Sequence, residues 1–145
     1  MTGDLAPTAA PGARAAELVA GFGDDVSAEA VTPHVDARGR LVEFDFAELS
    51  IQVRRAFVVT DVPAGTTRGG HRHRYGAQVL FCLAGRVEVE LCRGDARGQV
   101  ALTPETSGLR IAAGVWSRQR YVHGRSELLV LASEPFDPAS YDDGP

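Results

Sequence analysis

The chain contains no lysine; all 15 of its basic residues are arginine. Schiff-base chemistry on a lysine amine is thereby excluded, and with it the pyridoxal-phosphate enzymes and lysine aldolases. Arginine is the cation suited to forked recognition of phosphate and carboxylate, although a coding bias would remove lysine just as well. Cysteine is scarce too. Cys82 and Cys92 lie in apolar, strand-like runs with no CxxC, and so read as small buried hydrophobes, not as a disulfide framework. There is no basic surplus either. A formal net charge of −4 gives no electrostatic reason to expect nucleic acid or an anionic membrane as partner. No apolar run approaches the roughly 20 residues needed to cross a bilayer. The N-terminus lacks the basic region and apolar core of a secretory signal, so the expectation is a cytoplasmic protein.

What is present suits a globular domain. The 145 residues, 44% of them hydrophobic, suffice for one domain with a real core. Residues 1 to about 13, "MTGDLAPTAAPGA", are small, Pro-punctuated and weakly hydrophobic, which predicts a disordered tail. "RAAELVAGF" predicts a short helix from about Arg14 to Phe22. We therefore divide the chain into a flexible extension, 1–30, and a single domain, 31–145.

From His34 onward the pattern is that of strands. "RGRLVEFDF" alternates apolar and polar residues, and "QVRRAFVVTDV" is β-branched and compact. "AQVLFCLAGRVEVELCRGD" reads as two strands joined by a tight Ala-Gly turn, with Val87, Val89 and Leu91 alternating with Glu88 and Glu90. "GQVALT", "GLRIAAG" and "SELLVLAS" add three shorter runs, and Gly, Pro or Asp punctuates every gap. Short strands at this spacing, with no helical period between them, indicate an all-β sandwich or barrel.

Within that pattern lies "PAGTTRGGHRHRYGAQ", residues 63–78, which holds two of the four histidines. On a strand, side chains at i and i+2 share a face, so His71 and His73 converge while Arg72 and Arg74 point away. Taken alone, such a pair admits metal ligation, proton transfer or an ordinary solvated face.

The spacing narrows this. Gly65, five residues, His71-Arg72-His73, four residues, Gln78, six residues and Gly85 resemble the first signature of the cupin superfamily, small β-barrels (double-stranded β-helix or jelly-roll) with a ligand cavity. In those proteins two histidines usually join a glutamate and a third histidine around a metal. Here the glutamate position holds Gln78, and the last histidine, in "AAGVWS", is replaced by Ser117. Catalytic zinc takes about three protein ligands, and two-histidine iron sites still need a carboxylate. The expectation is no metal and no cofactor.

The remaining motifs resemble one cupin branch, the dTDP-4-keto-6-deoxyhexose 3,4-ketoisomerases (FdtA-type, WxcM-like). "DARGRLVEF", "RGGHRHRYGAQVLFCLAGRVEVEL", "GLRIAAGVW" and "LLVLASEPFDPASY" are similar to that family's successive motifs over about residues 34–141. The resemblance implies a cofactor-free isomerase of deoxysugar biosynthesis. A ketone at C4 of a nucleotide-linked sugar moves to C3 through an enediol, with His71 and His73 as the proton-transfer pair. It further implies Arg68 as a stabiliser of developing negative charge or a holder of phosphate, Gln78 as a hydrogen-bonding amide, Arg38 and Arg55 as candidates for the pyrophosphate, and Trp116 near the sugar or nucleotide. The family's dimers, with strands exchanged between subunits, imply a homodimer here, with Val31 to Phe44 as the exchanged segment.

Three positions depart from the family pattern. Phe57 stands where a tyrosine usually supplies an active-site hydroxyl, Ser117 where a histidine follows tryptophan, and Ala77 where an acidic residue precedes the glutamine. Tyr75 or Tyr121 is then the candidate for the missing hydroxyl. The same departures suit a same-fold enzyme working on a non-sugar intermediate such as a polyketide. A non-catalytic ligand-binding cupin is the reading from a different class.

Overall fold

A computed structural model of the chain describes residues 3–4 and 20–145. The tail and most of the helix expected over Arg14–Phe22 lie outside the described residues. Where that helix would end, a 3₁₀ turn spans Ala20–Asp25.

The described residues hold thirteen short strands. They are β1 Gly3–Asp4, β2 Val26–Glu29, β3 Pro33–Asp36, β4 Gly39–Val42, β5 Arg55–Val59, β6 Thr66–His73 and β7 Gln78–Ala84. The chain continues through β8 Val87–Arg93, β9 Ala96–Leu102, β10 Gly108–Ile111, β11 Trp116–Tyr121, β12 Glu127–Ala132 and β13 Tyr141–Asp142. Two five-stranded antiparallel sheets, ordered β2-β10-β7-β12-β5 and β13-β6-β11-β8-β9, form the all-β barrel that the sequence predicts. A small third sheet, β1-β3-β4, stands apart from both.

β7 and β8, the two strands expected around the Ala-Gly turn, belong to opposite sheets, so that turn crosses the barrel. The true hairpin is β8–β9, where Arg93 pairs Ala96 around Gly94-Asp95. Inside the barrel, Leu80, Cys82, Val87, Val89, Leu91, Val100, Leu102, Leu109, Leu128 and Val130 make one core. Phe22 and Val26 join it, and β2 pairs with β10 along its length. Residues 22–29, counted in the extension by sequence, therefore build the barrel.

The unbroken run "VLFCL" has a separate cause. Val79 and Phe81 face away from the barrel interior and pack with Ile51 and Leu131 under the segment that carries Phe44, Leu49 and Val53. A strand buried on both faces loses the alternation of a half-exposed one.

Candidate active site

Pairing registers place the site as two facing walls. On the first sheet, Gln78, Ala132 and Arg55 stand abreast, then Leu80, Val130 and Phe57, then Cys82, Leu128 and Val59. On the second, His73 pairs Tyr141, His71 pairs Ser117, Arg68 pairs Gln119 and Thr66 pairs Tyr121. Between the walls lies a cavity of ≈ 190 Å³. Phe57, Val59, Leu80, Leu128 and Val130 line it on one side, and Arg68, His71, Gln119, Tyr121 and Tyr141 on the other, with Gln78 at the junction.

Strict alternation would not make that second wall. Arg68 and His71 are three residues apart and would point to opposite faces of a regular strand. The register slips between Ser117 and Arg118, whose partners are His71 and Gly69, so Gly70 is an extra residue in β6. Gly69 and Gly70 have φ of 82° and 81°, a conformation that costs glycine little and other residues much. This bulge resets the alternation and turns Arg68 and His71 to one cavity. The second glycine of "RGGHRH" thus has a geometric task.

His71 faces the main cavity, whereas His73 lines a smaller cleft beside it with Arg55, Tyr75 and Glu134. Their ring centroids are 5.4 Å apart in an edge-to-face arrangement. Tyr141 packs against both, at 4.6 Å from His71 and 4.7 Å from His73. Burial lowers the pKa of His71, partly offset by the Asp143 carboxylate. Burial, then His71 and the Arg55 guanidinium, push His73 down to about 4. Both imidazoles are therefore neutral at pH 7 and able to accept a proton.

Tyr141 was not among the residues singled out by sequence. A capped turn puts it in place. Asp137 accepts from the Ala139 amide (3.0 Å) at the start of the 3₁₀ turn Pro138–Ser140. The Tyr75 hydroxyl donates to the Asp137 carboxylate, and the Arg74 amide donates to the Ser140 carbonyl at 2.8 Å. Arg72 pairs with Asp142 at 3.2 Å. Together these hold β13 on the edge of β6. Tyr75 is thus engaged outside the main cavity, while Tyr121 lines it with its pKa raised by burial to about 12.

Other expected residues scatter. Arg55 lines the cleft, its guanidinium 4.9 Å from the Phe57 ring centroid and 5.4 Å from that of Phe136. Its buried Nε has no hydrogen-bond partner among the described residues. Ser117 pairs with His71. Trp116, its neighbour, falls on the opposite face of the strand, buried under Arg118, and lines neither cavity. Arg38 lies in the β3–β4 hairpin with its side chain 86% exposed and bound to Asp36. It too is away from both cavities.

The donor set does not fit the metal that cupins commonly hold. No cluster of three or more histidine, cysteine, aspartate or glutamate side chains that could hold a metal ion exists among the described residues, and the side chains abutting both cavities are the Gln78 amide, a poor ligand, and the Tyr141 phenol.

The FdtA family model, described as WxcM-like, C-terminal, matches residues 24–143. The TDP-4-oxo-6-deoxy-alpha-D-glucose-3,4-oxoisomerase of Aneurinibacillus thermoaerophilus is 29% identical over 108 residues, 74% of this chain and 78% of that one. The sugar 3,4-ketoisomerase QdtA of Thermoanaerobacterium thermosaccharolyticum, solved with TDP, superposes with a TM-score of 0.78 at 30% identity over 83% of this chain and 88% of its own. A 3,4-ketoisomerase of Helicobacter canadensis superposes with a TM-score of 0.76 at 27% identity, covering 82% of this chain and 90% of that one.

Proposed function

The chain belongs to the FdtA (WxcM-like, C-terminal) family, and from that premise we propose that it is a sugar-nucleotide 3,4-ketoisomerase. It converts a TDP-4-keto-6-deoxyhexose to the 3-keto isomer without a cofactor, within deoxysugar biosynthesis. The observation that carries this reading is the half-buried histidine pair in ring contact, His71 on a cavity with one polar and one apolar wall and His73 on the cleft beside it.

His71 is the base, because its imidazole lines the main cavity. It takes the proton on C3, which is acidified by the neighbouring C4 ketone, and C3–C4 becomes an enediol. O4 takes up a proton to complete the enediol, C4 then takes the proton held on the histidine pair, O3 releases its own, and the ketone stands at C3 with a hydroxyl at C4. No electrons enter or leave, so no redox group is needed. His73, packed against His71, serves as proton-transfer helper. Arg68 stabilises the enediolate oxygen, and Gln78 orients the sugar. Arg55 holds a phosphate oxygen at the cleft, which its unpartnered Nε supports. Arg38 keeps a nucleotide-binding role only from a neighbouring subunit, since it lines neither cavity of its own chain.

A homodimer accounts for the unpaired features. Among the described residues β5 has no strand on its outer edge, Val58 on it is 53% exposed, and the β3–β4 hairpin pairs only with β1. An open apolar edge invites a second copy. No described helix is long and apolar enough to cross a membrane. Two free, buried cysteines fit a reducing compartment such as the cytoplasm.

The test is turnover. Chelator-treated protein is incubated with TDP-4-keto-6-deoxyglucose in deuterated buffer and the sugar is followed by proton NMR. Loss of the C3 proton signal with growth of a 3-keto product is expected. An untouched sugar contradicts the reading and turns the search toward non-sugar substrates, which the phenylalanine at position 57 would suit.

A further inference from the structure

Gln119 lies on β11 between Arg68 of β6 and Val89 of β8. Val89 and Tyr121, on the same face, are buried in the core, whereas Gln119 remains partly open and lines the main cavity. Its amide lies across the backbone of Gly69. A β-carbon at Gly69 would stand 2.9 Å from Oε1 and 3.2 Å from Nε2, so the bulge glycine makes room for this side chain. Among the described residues nothing hydrogen-bonds the amide. The amide is not sealed in the core but opens on the cavity. An amide held over a bulge, facing a cavity and lacking a protein partner, is available to a ligand.

Resting on the ketoisomerase reading, we propose that Gln119 is a substrate-binding residue that grips the keto–hydroxyl edge of the sugar beside Arg68. The reaction exchanges a ketone and a hydroxyl between adjacent carbons. A group that holds both substrate and product there must donate and accept, and an amide does both. Arg68 only donates, and so favours the charged enediolate between them. Across the cavity, Phe57, Val59, Leu128 and Val130 offer no hydrogen bond and take the C6 methyl of the deoxysugar. The two walls thereby fix which face of the sugar meets His71.

Gln119→Leu keeps much of the side-chain volume and removes both hydrogen-bonding groups. Its kcat/KM for TDP-4-keto-6-deoxyglucose should fall roughly 10- to 100-fold. Competitive inhibition by TDP, which lacks the sugar, should stay within about twofold of wild type, because a sugar contact leaves nucleotide binding alone. Gln119→Glu retains the acceptor but sets a negative charge against the enediolate, so kcat should fall more than KM rises. Wild type that converts the sugar while Gln119→Leu does so equally well overturns the inference and leaves the ketoisomerase reading standing. A parallel loss of TDP inhibition and turnover assigns Gln119 to the fold and overturns it too. Wild type inert toward the sugar overturns both. Thermal unfolding of each variant separates a lost contact from a lost fold.

Discussion

The two walls of the cavity come from the same barrel and obey different rules. The wall built from β5, β7 and β12 keeps its alternation through the three rows that face the cavity, its register slip falling beyond them between Glu127 and Leu128, and it is apolar beyond its first row. The wall built from β6, β11 and β13 is interrupted. Its chemistry depends on a two-glycine bulge in β6 and on a two-residue strand tied down by a capped turn. The first wall owes its form to hydrophobic burial, and many sequences would supply it. The second is specific, because one extra residue decides which side chains meet the substrate.

Deletion of Gly70 should have the largest effect. It restores strict alternation and sends either Arg68 or His71 out of the cavity. Turnover should drop by at least about 100-fold, since proton transfer and charge stabilisation each contribute that order. Circular dichroism should keep its β-sheet signature. A deletion variant with near-normal activity would mean that the polar wall does not depend on the bulge.

Tyr141 gives a subtler contrast. Burial beneath its ring lowers the pKa of both histidines, with His73 at about 4, so the base stays neutral as pH falls below the ordinary histidine range. Tyr141→Ala admits water and moves both values up toward about 6.5. The acid limb of kcat/KM against pH should then shift upward toward the ordinary histidine value. Tyr141→Phe keeps the ring and should leave the limb in place. The smallest effect is expected at Trp116, on the far side of β11. Trp116→Phe should cost stability, roughly 1 kcal/mol on denaturant unfolding, and change kcat/KM by less than about twofold.

These contrasts show why one wall could be read from sequence and the other only in part. The apolar runs around Leu80, Leu128 and Val130 announce strands and a core through hydrophobicity alone. The histidine pair follows from period-two geometry. β11, "WSRQRY", carries arginine outward and serine and glutamine inward, so it lacks the apolar face that would mark a strand, and Gln119 went unnoticed with it. Tyr141 is reached only through pairing of β13 with β6, a contact 68 residues apart along the chain. Trp116 looked functional by its motif, but its parity relative to Ser117 depends on the register of β11. Phe22 and Val26 were counted in a flexible extension because too few apolar residues surround them in sequence; the barrel supplies their partners.

Isotope exchange decides whether cavity-facing His71 removes the C3 proton. TDP-4-keto-6-deoxyglucose in deuterated buffer is treated separately with His71→Asn and His73→Asn, and proton NMR follows washout at C3. No exchange above background is expected with His71→Asn, and slower but measurable exchange with His73→Asn. Exchange that persists in His71→Asn and vanishes in His73→Asn would contradict His71 as the base and move that role to the neighbouring cleft.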